Sequence, residues 1–154
     1  MTIDLDALIS TKINEKLDTN FPVPPEKEYI ARIGTPREHI KEWFRSVKRD
    51  DGTQTATLNI PFVLQDEDVR RQMGVRQLTS RLTIWLDTEI SGALATGKGK
   101  NVSLGQLLEA LGQNGDTNWD FEKLINAGPV KVITSNSTGK DGKQYSNVTK
   151  VAKL

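Results

Sequence analysis

Residues 128–154, GPVKVITSNSTGKDGKQYSNVTKVAKL, constrain the fold of this chain more than any other stretch. Segments 129–134 and 144–151 are rich in β-branched and aromatic residues, which suit a pleated, half-buried surface. Between them, Gly139-Lys140-Asp141-Gly142 supplies the positive-φ positions that a reversal needs. The pattern predicts a closing β-hairpin. A lone hairpin is marginal in water and leaves both edges unpaired, so these strands must join a sheet built by earlier residues.

Those earlier residues read as strands and short helices. Segment 28–33 alternates like a half-buried strand and is interrupted at Gly34-Thr35-Pro36. Segment 40–47 reads as extended again, with Trp43, Phe44 and Val47 apolar, giving one long broken strand or two short ones. After a turn at Arg49-Asp50-Asp51-Gly52, segment 55–64 is the next strand; it has Leu58, Ile60 and Phe62 on one face, and Pro61 marks an edge or a bulge. Segment 65–74 is charged and reads as a loop with a helical turn. Segment 75–87 is a strand with Leu78, Leu82, Ile84 and Leu86 on its buried face and Trp85 opposite. Ser103 and Gln106 form a capping box for a helix whose stripe of Leu104, Leu107, Leu108 and Leu111 ends at Gly112. A second short helix, capped by Thr117 or Asn118, is expected to run to Asn126 with Phe121, Leu124 and Ile125 inward. Three strands, a helical insertion and two strands predict a mainly β chain: a five-stranded, OB-like Greek-key barrel with a short helix between its third and fourth strands.

The N-terminus is of a different kind. Asp4 can cap an amphipathic helix in which Leu5, Leu8, Ile9, Ile13 and Leu17 recur near the helical period, for a length of about three turns. Prolines at 22, 24 and 25 then forbid helix and impose extended chain. The expected division is a helical arm at 1–20, a proline-rich linker at 21–27 and the barrel domain at 28–154. Such an arm can dock on its own barrel or make a homo-oligomer by docking on another subunit.

Composition narrows the function. A chain of 154 residues with 36% hydrophobic and 6% aromatic content fits one lean-cored domain with long polar loops. The absence of cysteine excludes a disulfide framework and a thiolate zinc site. No apolar run is long enough for a signal peptide or a membrane span, so the expected protein is soluble and intracellular, or made in a host cytoplasm. The net charge of +1 hides an asymmetry, because residues 1–30 hold six acids against three bases while 128–154 hold five lysines against Asp141 alone. A basic hairpin suits a polyanion, since each neutralised phosphate releases counterions; the same lysines would also guard a solvated sheet edge.

Catalytic routes lack parts. Residues 92–99, GALATGKG, match the first seven positions of a P-loop, but Gly99 stands where Ser or Thr must meet magnesium, and the expected helix starts only at Leu104. Lys98 and Lys100 in this loop could still grip a backbone phosphate, or lie in solvent. His39 is the only imidazole, no nucleophilic triad or metal-ligand spacing surrounds it, and Asp66-Glu67-Asp68 reads as a solvated cluster. No enzyme activity, metal or cofactor is therefore expected. Trp43, Phe44, Phe62, Trp85 and Tyr145 fall on predicted strands near Arg32, Arg45, Lys48, Arg81 and Lys143. That interleaving of stacking planes and cations is what single-stranded nucleic acid binding uses. Trp43, Trp85 and Tyr145 are favoured as the platforms over the two phenylalanines.

Taken together, FPVPPEKEYIARI, RLTIWLD, GALATGKGKNVSLGQLLEALGQN, Trp119, and GPVKV followed by GKQYSNVTKVAKL resemble a group of small phage-encoded proteins similar to single-stranded DNA-binding OB-fold proteins. The resemblance spans nearly the whole chain. It implies non-sequence-specific binding of single-stranded DNA in phage replication or recombination. Carried onto this sequence, the binding groove would involve Trp43, Arg45, Arg81, Trp85, Lys98, Lys100, Lys131, Lys143 and Tyr145. The chain departs from the group at Lys27, where a glycine is common, and at residues 34–41, which break a strand that is otherwise continuous. The rival expectation is a virion structural protein, such as a capsid decoration, cement or adaptor subunit whose arm engages a major capsid protein.

Overall fold

The computed structural model describes residues 2–18, 22–52 and 54–154. Met1, the arm residues Thr19 and Asn20, the linker residue Phe21 and the turn residue Thr53 lie outside the described residues.

The fold is mainly β, with six strands in one sheet. They are β1 (Glu28–Ile33), β2 (Phe44–Lys48), β3 (Gln54–Gln65), β4 (Leu78–Leu86), β5 (Val130–Thr138) and β6 (Gln144–Ala152). Among the described residues three short α-helices accompany them: α1 (Leu5–Ser10), α2 (Glu67–Met73) and α3 (Val102–Leu111). The strand order is β1-β5-β6-β4-β3-β2, and β1 also pairs with β3. The predicted closing hairpin is β5 and β6, antiparallel from Lys131↔Ala152 to Thr138↔Gln144, with a bulge at Ile133/Thr134. β4 and β6 meet in parallel through one pair, Arg81↔Asn147.

β1 and β2 both run antiparallel to β3, β1 against its second half (Ile33↔Phe62) and β2 against its first (Phe44↔Leu58). They are thus two short strands along one long partner. Between them, residues expected to be extended form a 3₁₀ turn, Ile40–Trp43. The cause is local polar chemistry. The Glu42 carboxylate accepts from the backbone N–H groups of Arg37, Glu38 and His39, and His39 Nδ1 accepts from the Lys41 N–H at 3.0 Å. This reciprocal capping tightens the chain and turns Ile40 and Trp43 into the core.

The core follows strand alternation. Leu58, Ile60 and Phe62 of β3, Ile84 of β4 and Val130 and Val132 of β5 are 2% exposed or less. α3 packs on β4 and β6 and buries Leu104, Leu107 and Leu108. Truncating Leu107 to alanine there removes burial and leaves a cavity, a change that costs about 2–5 kcal/mol in well-packed cores.

Helix boundaries differ from expectation for identifiable reasons. α3 is capped by Asn101 and not by Ser103, and no side-chain capping bond forms, because the Asn101 amide is committed to Asp87. Its end at Gly112, in the left-handed region at φ 72°, is as expected. The second predicted helix is only a 3₁₀ turn, Phe121–Leu124, capped by Asp120. Phe121 there joins Phe44 and Trp119 in edge-to-face contacts at 5.0 and 4.9 Å.

The expected three-turn arm helix stops at Ser10. Ile3, Leu5, Leu8, Ile9, Ile13 and Leu17 are all at least 62% exposed, and a short helix with no covered face is marginal. The proline-rich segment is pinned to the sheet instead of being a free spacer. Asn136 Nδ2 donates to the Pro24 carbonyl at 3.1 Å, the Asn136 N–H to Glu26 Oε1 at 2.9 Å, and the Tyr29 hydroxyl to the Pro25 carbonyl at 2.7 Å. Among the described residues no helix is long and apolar enough to cross a membrane.

Candidate nucleic-acid interface

Alternation along β4 puts Leu78, Ser80, Ile84 and Leu86 inside and leaves Thr79, Arg81, Thr83 and Trp85 exposed on the outer face. Register extends this row across the sheet. Trp85 lies opposite Thr57 of β3, and Thr57 lies opposite Arg45 of β2, so an aromatic plane and a guanidinium flank one small residue on a common face. Thr83 lies opposite Asn59, and Arg81 opposite both Pro61 and Asn147. Asn59 fixes the middle of the face, accepting from the Thr83 hydroxyl at 2.9 Å and donating to Thr57 Oγ1 at 3.2 Å.

Trp85 is 61% exposed, so its indole face is open to solvent. Trp43, also expected to stack on a base, is 6% exposed and belongs to the core. The 3₁₀ turn that carries it points it inward, so that expectation is corrected.

Lys98 and Lys100 are exposed in the 87–101 connection between β4 and α3. Asn101 closes this loop. Its side-chain oxygen accepts from the Asp87 N–H at 2.8 Å, its amide donates to the carbonyls of Asp87 at 2.9 Å and Ala95 at 2.7 Å, and its own N–H donates to Asp87 Oδ2 at 2.8 Å. The clamp returns the chain to the strand end two residues beyond Trp85, which brings the lysines to the Trp85 end of β4. Within the loop, Thr88 bridges to Leu94, and Ile90 between them is fully exposed. The stretch that matched a P-loop therefore begins as one limb of a small reversal, with no direct run into a helix.

Tyr145 of β6 is 44% exposed. Its hydroxyl donates to Asp141 Oδ2 at 2.7 Å, and its ring lies so close over Gly139 that a Cβ there would come within 2.7 Å of Cε2. The hydrogen bond to Asp141, with a contribution from burial, pushes the Tyr145 phenol above its ordinary value. The same bond, with the Lys143 N–H, holds the Asp141 carboxyl below its own. Arg81, Tyr145 and Asn147 line one recess of about 450 Å³ on the β4–β6 seam, so the structure brings Arg81 and Tyr145 together. Lys143 is exposed in the adjoining turn.

Lys131 stands apart. It is on β5, ion-paired to Glu28 of β1 at 3.1 Å, and β6 separates it from β4 in the sheet. The acidic cluster at 66–68 is spent on α2: Asp66 caps the helix and pairs with Lys27, while Glu67 and Asp68 pair with Arg70 and Arg71. Sequence reading missed Thr83, Asn59 and Asn147, which fill the face between the cations. The period-two alternation of 78–86 carried the signal for Thr83.

The resulting surface offers the exposed indole of Trp85, the exposed phenol of Tyr145 and cations on both sides of a polar strip. Comparison with protein-family models, with curated proteins and with solved structures finds no match to this chain.

Proposed function

We propose that the chain is an OB-like barrel of phage origin that binds single-stranded DNA without sequence preference, by aromatic stacking and phosphate contacts, with no bond made or broken. The barrel reading is supported by the pairing route, which runs from β1 through β5, β6, β4 and β3 back to β1, and by the position of α3 between β4 and β5. The observation that carries the binding reading is Trp85, an exposed indole on the outer face of β4, with Arg45 one strand beyond Thr57 and Arg81 four residues along the same row. Every base has a π face, so such a platform is tolerant of sequence, and flanking cations supply backbone attraction. On this reading the site is Trp85, Arg45, Arg81, Tyr145, Lys98, Lys100 and Lys143, acting during replication or recombination in the host cytoplasm.

Titration with a fluorescent oligo-dT at low and high salt tests this. The expected result is salt-sensitive binding with tryptophan quenching that Trp85→Ala removes; absence of binding at low salt would overturn it. A second reading, a virion subunit attached to a capsid protein, is favoured by one observation: the exposed apolar arm residues from Ile3 to Leu17. On that reading, deleting the arm abolishes attachment; on the first, DNA binding survives the deletion.

A further inference from the structure

The arm and a groove on the sheet are complementary in three respects. The arm carries six exposed apolar side chains, and Leu5, Ile9, Ile13 and Leu17 recur every four residues, the spacing that one helical face would present if the helix continued past Ser10. Between α3 and β6 lies an open groove of about 740 Å³, where half-buried Leu82 and Val151 are the open apolar surface and buried Leu107, Ala110 and Val148 form the floor. Charge matches as well. Residues 2–18 carry Asp4, Asp6, Glu15 and Asp18 against Lys12 and Lys16, whereas the groove carries Lys150 and Lys153 against Glu109.

We propose that the arm of a second copy of this chain docks as a helix in the α3–β6 groove, and that reciprocal exchange of arms makes a two-fold dimer. In the single chain the arm stays uncovered and its helix ends after six residues, the outcome expected of a short amphipathic helix without a partner. Docking covers the stripe and lengthens the helix, as when an amphipathic segment folds into an apolar groove. Exchange between two copies satisfies both arms and both grooves with one self-complementary interface. The groove is lined by residues 82–84 of β4 and 148–153 of β6; it shares Thr83 with the outer row of β4 but none of Trp85, Arg45, Arg81, Tyr145, Lys98, Lys100 and Lys143, so this inference does not depend on the DNA-binding proposal.

The chain has no cysteine, which makes cross-linking specific. Lys12→Cys and Gln106→Cys proteins, each exposed at the changed position and each keeping the apolar stripe intact, are purified separately, mixed and oxidised. The expected product is a disulfide-linked species of twice the chain mass that contains one of each variant, in severalfold excess over what either gives alone. It should be lost with Leu5→Asp/Ile9→Asp, or with Lys150→Glu/Lys153→Glu, in proteins that melt at an unchanged temperature. Far-ultraviolet circular dichroism should show helix increasing with protein concentration. No excess of the mixed product would overturn the proposal. So would closure of the double variant Lys12→Cys/Gln106→Cys at single-chain mass, which would place the arm in its own groove.

Discussion

Trp85 and Trp43 bear the same side chain and have opposite environments. Trp85 lies on the outward row of a strand, whereas Trp43 is turned into the core by a capped 3₁₀ turn. Replacing Trp85 with alanine should therefore weaken oligo-dT binding by about 1–3 kcal/mol, the usual worth of a base stacked on an aromatic ring, with thermal stability unchanged. Replacing Trp43 should instead cost about 3–5 kcal/mol of folding stability, read by denaturant unfolding. Asn101 is a residue whose role lies outside its own helix. Asn101→Ala strands donors and acceptors at Asp87 and Ala95 and should cost about 1–3 kcal/mol in the same measurement. The outward position of Trp85 was legible because its neighbours alternate. The inward position of Trp43 was not, because it depends on the Glu42 carboxylate gathering three N–H groups, and nothing in hydrophobic periodicity announces that.

At the scale of elements, strands were easier to read than helix starts. β4, β5 and β6 were visible in their alternation and turn glycines, whereas the cap of α3 is Asn101, two residues before Ser103, because a contact 14 positions back claims Asn101. The β5–β6 turn carries a pH signature. The carboxyl of Asp141 is depressed in the folded state by the Tyr145 hydroxyl first and the Lys143 N–H second. A depressed carboxyl contributes order that is complete above its unfolded value, near 3.9, and is lost as pH falls through the lower folded value. The Tyr145 phenol, raised chiefly by the same bond, contributes order that is complete below its unfolded value and lost as pH rises through the folded one. The Tyr145 ring resonances in NMR should stay constant between these limits and shift at both ends; in Asp141→Asn the acid-side change should disappear.

For the whole molecule, charge asymmetry was legible in the sequence but its partition was not. The lysines of the C-terminal hairpin do not act together: Lys131 is ion-paired to Glu28 on β1, and β6 separates its strand from the one that carries Trp85. That separation has a measurable consequence. The slope of log affinity for single-stranded DNA against log salt should become shallower by about 1.4 in Lys98→Ala/Lys100→Ala, at about 0.7 per phosphate contact, and should be unchanged in Lys131→Ala. The mainly β character and the closing hairpin were legible in the sequence; the sheet has six strands where five are expected, because the first is divided at Gly34-Thr35-Pro36 into β1 and β2. How thinly β4 and β6 are joined could not be read, because strand pairing is a tertiary choice.

The most direct test uses the three tryptophans as reporters at three depths: Trp85 exposed, Trp119 half-buried and Trp43 buried. Their indole N–H resonances can be followed in a two-dimensional ¹⁵N–¹H NMR spectrum while oligo-dT is added. The Trp85 signal, assigned by its loss in Trp85→Phe, is expected to shift with saturation while the Trp43 signal stays in place. A saturating titration that leaves Trp85 unmoved would contradict the claim that the outer face of β4 is the DNA-binding surface.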